Sequence, residues 1–221
     1  AEVRNIEEMI NQTKSKFIST PENIVGKLSI ARTTDSNRLN SLLKRFQDSY
    51  PNIEISSYVG TSESQIKSYE ADVSIITARY PPQDMVAKKI GSTEMHVYGS
   101  KNYLKDKNIK DLESLDWLAF RSDSVRPNTM DLIRRSVKNP NIKFASDSYS
   151  EILELTLAGS GVAFLGDLDV KSNKDLQIIA PQKHYQKVHF WLVFHPDLVS
   201  NPRVQAFKKF LIKNANVVGI N

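Results

Sequence analysis

The sequence predicts an α/β protein made of two similar halves. Strand-like and helical patterns alternate from Lys27 onward with short turns between them, an order that builds a parallel sheet with helices on its faces. The strand runs, among them "KLSIAR", "DVSIITA" and "GVAFLG", are short and apolar, as buried strands require. The theme then repeats in the second half, and two such sets in roughly 200 residues read as two lobes and not as one long sheet.

The elements follow in order. "AEVRNIEEMINQTKSKF" places Val3, Ile6, Met9, Ile10, Thr13 and Phe17 on one helical stripe, and Pro21 in "STPEN" stops it. Such a solitary helix must cover its stripe on its own domain, on another chain or on a missing domain. "KLSIAR" is a strand, and "SNRLNSLLKRFQDSY" a helix with Leu39, Leu42, Leu43, Phe46 and Tyr50 inward, ended by Pro51. "NIEISSYV" is a strand, "SESQIKSYEA" a short helix, "DVSIITA" a strand and "VAKKIGSTEMHVYGS" one or two more. In the second half "NIKDLESL", "TMDLIRRSVK" and "SYSEILELTLAG" are helices; "DWLAFRS", "NIKFAS", "GVAFLG", "LQIIAP" and "VHFWLVFH" are strands. "NPRVQAFKKFLIKNAN" closes as an amphipathic helix carrying Val204, Phe207, Phe210 and Leu211.

Composition narrows the function. The chain has 221 residues, 40% hydrophobic and 25% charged, enough to bury a real core. The net charge of +5 hints at nucleic acid. However, Lys and Arg are interleaved with Asp and Glu, and clusters such as "VAKKIG" and "LIRRSVK" read as solvated faces. The absence of cysteine excludes a disulfide framework, a thiolate zinc site and a Cys nucleophile. It suits a reducing cytoplasm, as it also suits a disulfide-free exported protein. No run approaches the ~18 apolar residues of a membrane span. The charged stretch from Ala1 to Lys16 is no signal peptide, although a mature exported protein would lack one too.

In open parallel sheets ligands bind beyond the carboxyl ends of the strands. That singles out the loops at Arg32 to Ser36, Gly60 to Glu63, Arg79 to Pro81, Arg121 to Ser124, Ser146 to Tyr149 and Gly166-Asp167. Each hydroxyl or Asp there is explained singly as a helix N-cap. Together they form a polar cleft with Arg32, Arg79 and Arg121 as cations, where helix N-termini favour negative groups. A small organic acid or zwitterion suits it, with Asp35 opposing an anion unless Arg32 or a ligand amine offsets it.

No "HExxH", "GxSxG" or Walker pattern is present, and no catalytic pair stands out among His96, His184, His189 and His195. His96 and His195 fall in apolar runs and read as hydrogen-bonded core or edge residues. "AGSGVAFLGD" lacks the Gly-Lys-Ser/Thr ending of a phosphate loop, and its glycines precede a strand. It reads as a helix C-cap, with Gly159 or Gly161 left-handed, followed by a buried strand.

These motifs in this order resemble the effector-binding domain of LysR-type transcriptional regulators. "GKLSIA" looks like that family's first strand, and "RFQDSYPNIEI" like its helix, Tyr-Pro and second strand. "IKSYEADVSII" is similar to its third strand segment, with Asp72 at the Asp position. "YGSKNYL", "DLESLDWLAF", "ILELTLAGSGVAFLGD" and "NPRVQAFKKFLI" follow in the family's order, from about Gly26 to about Lys213. Departures are Asn102 for a frequent Pro, Gly166-Asp167 for Leu-Pro and Tyr69-Glu70-Ala71 for Gly-Glu-Leu.

The resemblance implies two Rossmann-like lobes joined by two crossover strands, a type II periplasmic-binding-protein fold. Lobe I would be 26–97 with 197–217 and lobe II 98–196, after a linker-helix remnant over 1–22. The hinge would lie near His96–Gly99 and Val193–His195. An effector between the lobes would meet Thr33, Thr34, Asp35, Gly60, Thr61, Ser62, Arg121, Ser122, Ser146 and Asp147. That effector is unknown, an organic acid or amino-acid-like compound, and no cofactor, metal or catalytic residue is expected. The implied protein is a cytoplasmic homodimer or tetramer without membrane contact, touching DNA only through a separate N-terminal domain. In the dimer the first lobe I helix would pair antiparallel with the "SYSEILELTLAG" helix of a second copy. A solute-binding protein of a transporter shares the fold and is the alternative; an enzyme such as a dehydratase on a similar fold is a third.

Because Thr33 and Ser122 fall on facing strand-end loops, Thr33→Ala and Ser122→Ala should weaken effector binding at little cost in stability. Calorimetric titration returning unchanged affinity in both would remove them from the site.

Overall fold

The computed structural model describes residues 23–33, 36–60, 71–120, 129–179 and 185–214. The expected helices at Ala1–Phe17 and "SESQIKSYEA" lie outside them, as do Thr34, Asp35, Thr61, Ser62, Arg121 and Ser122.

Strand β1 (Gly26–Arg32) buries Leu28 and Ile30 and leads into helix α1 (Asn37–Ser49). Ser36 caps α1, its Oγ accepting from the Arg38 N–H, and the helix buries Leu39, Leu42 and Phe46 at helical spacing. It ends at Tyr50, before Pro51. β2 (Ile53–Val59) and β3 (Val73–Ala78) lie parallel to β1 on either side. Asp72 Oδ2 accepts the Ser29 N–H at 2.7 Å and pins the β1–β3 register from outside the ladder.

"VAKKIGSTEMHVYGS", expected as one or two strands, is a single strand, β4 (Val86–Ser100), with an irregularity between Lys89 and Gly91. The second half then builds α2 (Lys101–Leu104), a 3₁₀ turn at Leu112–Ser114, β5 (Asp116–Phe120), α3 (Thr129–Ser136), β6 (Asn141–Ser146), α4 (Tyr149–Leu157), β7 (Val162–Gly166), α5 (Asp167–Val170) and β8 (Leu176–Ile179). β9 (Tyr185–Phe194) and α6 (Pro202–Asn214) return the chain to the first half. None of the described helices is long and apolar enough to cross a membrane.

The strands join in one curled nine-stranded sheet in the order β2-β1-β3-β9-β4-β7-β5-β6, with β8 also on β4. The two halves are therefore not separate sheets. β4 and β9 are the crossover strands, paired antiparallel from Val86 opposite Phe194 to His96 opposite Tyr185. β9 continues to β3 in the first half, and β4 continues to β7 in the second.

Each half has its own core. In the first, Phe46 of α1 is fully buried and meets Phe207 of α6 edge-on at 4.9 Å. In the second, both sheet faces are covered. Trp117 and Phe164 stack at 6.0 Å on one face, while Leu118 and Leu165 join Ile152 of α4 on the other. That double covering makes β7, and β5 from Trp117 onward, apolar throughout.

The glycines of "AGSGVAFLGD" have separate jobs. Gly159 (φ +83°) is the left-handed residue after α4: its N–H reaches Thr156 O, and the Ser160 N–H reaches Leu155 O, a Schellman stop. Gly161 (φ +157°) passes so close to β5 that a Cβ would sit 2.4 Å from Asp116 O. Gly161→Ala must therefore move backbone and should cost well over the ~1–2 kcal/mol that a left-handed backbone alone costs an L residue. Gly159→Ala, with nothing nearer than 3.4 Å, should stay near that figure. Urea denaturation of the two variants checks the order.

Candidate functional site

A narrow cleft open to solvent lies between the two halves. The first half contributes Thr33 and Thr77, and the second Phe120, Thr129, Tyr149 and Asp169. The crossover strands form the wall between them with Thr93, Met95, Val188 and Phe190. The lining is thus apolar and aromatic, with hydroxyls set into it at fixed points, the usual composition of a small-molecule site.

Most of those hydroxyls are held by the protein. Thr33 Oγ1 accepts the Thr77 N–H at 2.9 Å. Thr129 Oγ1 donates to Phe120 O at 2.5 Å, and Tyr149 OH accepts the Gly166 N–H at 2.9 Å. Thr77 is the exception. It is 8% exposed, and its Oγ1 has no hydrogen-bond partner among the described residues. Alternation along β3 sends Ile76 and Ala78 to the back of the sheet and leaves Thr77 on the cavity side. Burying an unpartnered hydroxyl costs about 1–3 kcal/mol, so the cavity carries a polar atom that a ligand would satisfy.

Short helix α5 closes one flank. Its Leu168 N–H reaches Thr93 Oγ1 at 3.3 Å on crossover strand β4. Asp169 Oδ1 accepts from Ser36 Oγ at 2.7 Å, and Leu168 O accepts from Arg38 Nε at 2.5 Å. Ser36 and Arg38 belong to the start of α1, so these two bonds tie the halves together across the cleft. A narrow apolar recess lined by Leu39, Ile75 and Ile90 runs behind them. The first turn of α1 carries no acidic residue.

Of the residues expected at the site, Thr33 lines the cavity. Gly60, exposed at φ +105°, gives its N–H to Arg32 O and lies away from the cavity lining. Ser146 and Asp147 also sit outside the lining: Ser146 Oγ bonds the Glu151 carboxylate, while Ser148 caps α4. Thr34, Asp35, Thr61, Ser62, Arg121 and Ser122 lie outside the described residues. Arg79 is exposed against Tyr80 at 5.4 Å. Sequence reading missed Thr77, Thr93, Thr129 and Asp169, and reached Tyr149 only as the end of the Ser146 to Tyr149 loop. The available signal was a threonine at an inward position of an otherwise apolar strand, "SIITA". Thr33 also carries a structural load: Thr33→Ala would strand the buried Thr77 N–H, so its stability cost is about 1–3 kcal/mol and not small.

A family model described as the LysR substrate binding domain matches residues 24–216. The chain belongs to this family. A curated relative, an HTH-type transcriptional regulator of Xanthomonas campestris pv. campestris, is 24% identical over 196 residues, covering 79% of this chain. The chain spans about 55% of that relative's length. Among solved structures, the CrgA regulatory domain of Neisseria meningitidis superposes with a TM-score of 0.68 at 18% identity, covering 86% of this chain and 99% of that one. The effector binding domain of QuiR in complex with shikimate superposes at 0.66 and 17% identity, covering 87% and 98%. These likenesses carry the type II periplasmic-binding-protein fold. Within the LysR family the chain is a ligand-sensing domain of a regulator, not the solute-binding protein of a transporter.

If the Thr77 hydroxyl serves a ligand and not the fold, Thr77→Val should leave the empty protein as stable or raise it by up to about 1–3 kcal/mol. Thermal and urea melts check this; a clear loss of stability would assign the hydroxyl a structural partner.

Proposed function

We propose that this chain senses a small polar effector, an organic acid or amino-acid-like compound, in the cleft between its lobes. Effector binding then changes lobe closure and the arrangement of subunits, and so the DNA contacts of a helix-turn-helix segment outside this chain. The unpartnered Thr77 hydroxyl in a cleft walled by both halves carries the reading. Thr33, Thr34, Asp35, Gly60, Thr61, Ser62, Arg121, Ser122, Ser146 and Asp147 remain proposed contacts, with Thr77 and Tyr149 added.

Lobe I takes 26–97 with 197–217 and lobe II 98–196. The whole regulator works in the cytoplasm as a dimer or tetramer. Its pairing face is α1 of one copy against α4 of another, where Leu43 and Leu153 are half-buried. No enzymatic step is assigned to the cleft.

Ligand binding to the folded state alone stabilises it by RT ln(1 + [L]/Kd), about 2.7 kcal/mol at a hundredfold excess over Kd. A thermal-shift screen of small carboxylic and amino acids, shikimate among them, should therefore find compounds that raise the melting temperature of the parent protein. The shift should shrink in Thr77→Val. A screen in which no acid moves the parent, or in which Thr77→Val responds in full, counts against the reading.

A further inference from the structure

We infer that the cleft selects an effector whose body is apolar: a flat hydrocarbon ring in preference to a hydroxylated one, with the polar contacts at its end. The inference rests on the cleft reading above and narrows the class of acid. It comes from the floor. Alternation along the crossover strands turns Met95 of β4, and Val188 and Phe190 of β9, toward the ligand space. Phe120, the last residue of β5, joins them from the second half. Met95, Val188 and Phe120 are buried and Phe190 is half-buried, so packing holds these side chains in place.

The hydroxyls do little to soften that floor. Thr93 stands directly opposite Val188 in the ladder, and its Oγ1 is used twice. It accepts the Leu168 N–H and donates to Glu94 O at 3.2 Å. Thr129 gives its proton to Phe120 O. The Thr77 hydroxyl, without a partner among the described residues, lies at the first-half end beside Thr33. The described lining holds no lysine, arginine or histidine, and its one carboxylate, Asp169, already accepts from Ser36. Selection on this lining therefore falls on the ligand's body and not on its acid group.

These facts set the chemistry. An aromatic ring laid on Phe190 and Met95 trades water for ring–ring and sulfur–ring contact. A ring hydroxyl in the same place gives up its water and meets only carbon and sulfur. Each hydroxyl so stranded lowers affinity about tenfold or more. The narrowness of the cleft acts in the same direction, because a planar ring needs less separation of the two halves than a puckered one. The polar end of the ligand then meets Thr77.

Benzoate and shikimate are the matched probes. Each is a six-membered ring with one carboxylate, and shikimate adds three hydroxyls. The readout is NMR of the chain labelled with methyl-13C methionine, in which the Met95 signal is identified by its loss in Met95→Leu. Benzoate should shift the Met95 methyl saturably and bind at least about tenfold more tightly than shikimate. The methyl of Met85, packed behind the sheet, should stay in place. Shikimate binding as tightly as benzoate overturns the inference and leaves the cleft reading standing. A Met95 methyl unmoved by millimolar benzoate overturns it too. Should the wider acid screen also find no stabilising compound, the cleft reading falls with it.

Discussion

The antiparallel pairing of β4 with β9 is the constraint on which the rest of the molecule depends. One ladder runs the length of β9 and welds two half-sheets into a single hydrogen-bonded surface. Everything that faces both halves is built on it. Even-numbered residues of β9 carry the first core through Leu192 and Phe194, then the cleft floor through Phe190 and Val188. Odd-numbered residues of β4 carry the cleft wall through Thr93 and Met95 and pass into the second core at Val97. A strand pair resists stretching and shear through its ladder but bends and twists readily. A rotation of one half against the other about this ladder would leave its backbone bonds in place.

What limits that rotation is α5. α5 starts in Gly166-Asp167, the pair set against Leu-Pro in the family resemblance, and a proline there would bring no N–H of its own. Here the acidic turn bonds outward in two directions, to the crossover strand and to the start of α1. Bonds to charged groups are worth about 1.5–3 kcal/mol and neutral ones about 0.5–1.5. The clasp across the cleft is therefore a few kcal/mol, the size of an equilibrium that a ligand with a modest preference for one state can tip.

Much of the fold was legible because backbone physics is local. Pro51 after a Leu-Leu-Phe stripe fixed the end of α1, and the glycines of "AGSGVAFLGD" fixed the stop of α4 and the entry to β7. The doubly covered strands announced themselves as unbroken apolar runs. The site was less legible, because a cleft is made by residues far apart in sequence. Loop hydroxyls such as Ser146 and Ser148 turned out to serve their own helix, as capping chemistry allows. The hydroxyl left unserved sits inside a strand, where Thr77 is indistinguishable from an ordinary β-branched core residue. Nor does spacing alone reveal α5, whose four residues are too few to show a period. His96 was read as a hydrogen-bonded core histidine; its partner, Asp167, is 71 residues away.

The route of the chain through the first core has a consequence for biosynthesis. β1 and α1 precede by some 160 residues or more the ring that seals them, Phe207 of α6. The second half, from β5 to β8, is contiguous and can collapse while the tail is still being made. β1 and α1 wait, half-covered, for α6, and a chain stalled before α6 leaves Phe46 and Leu42 open to holdase chaperones.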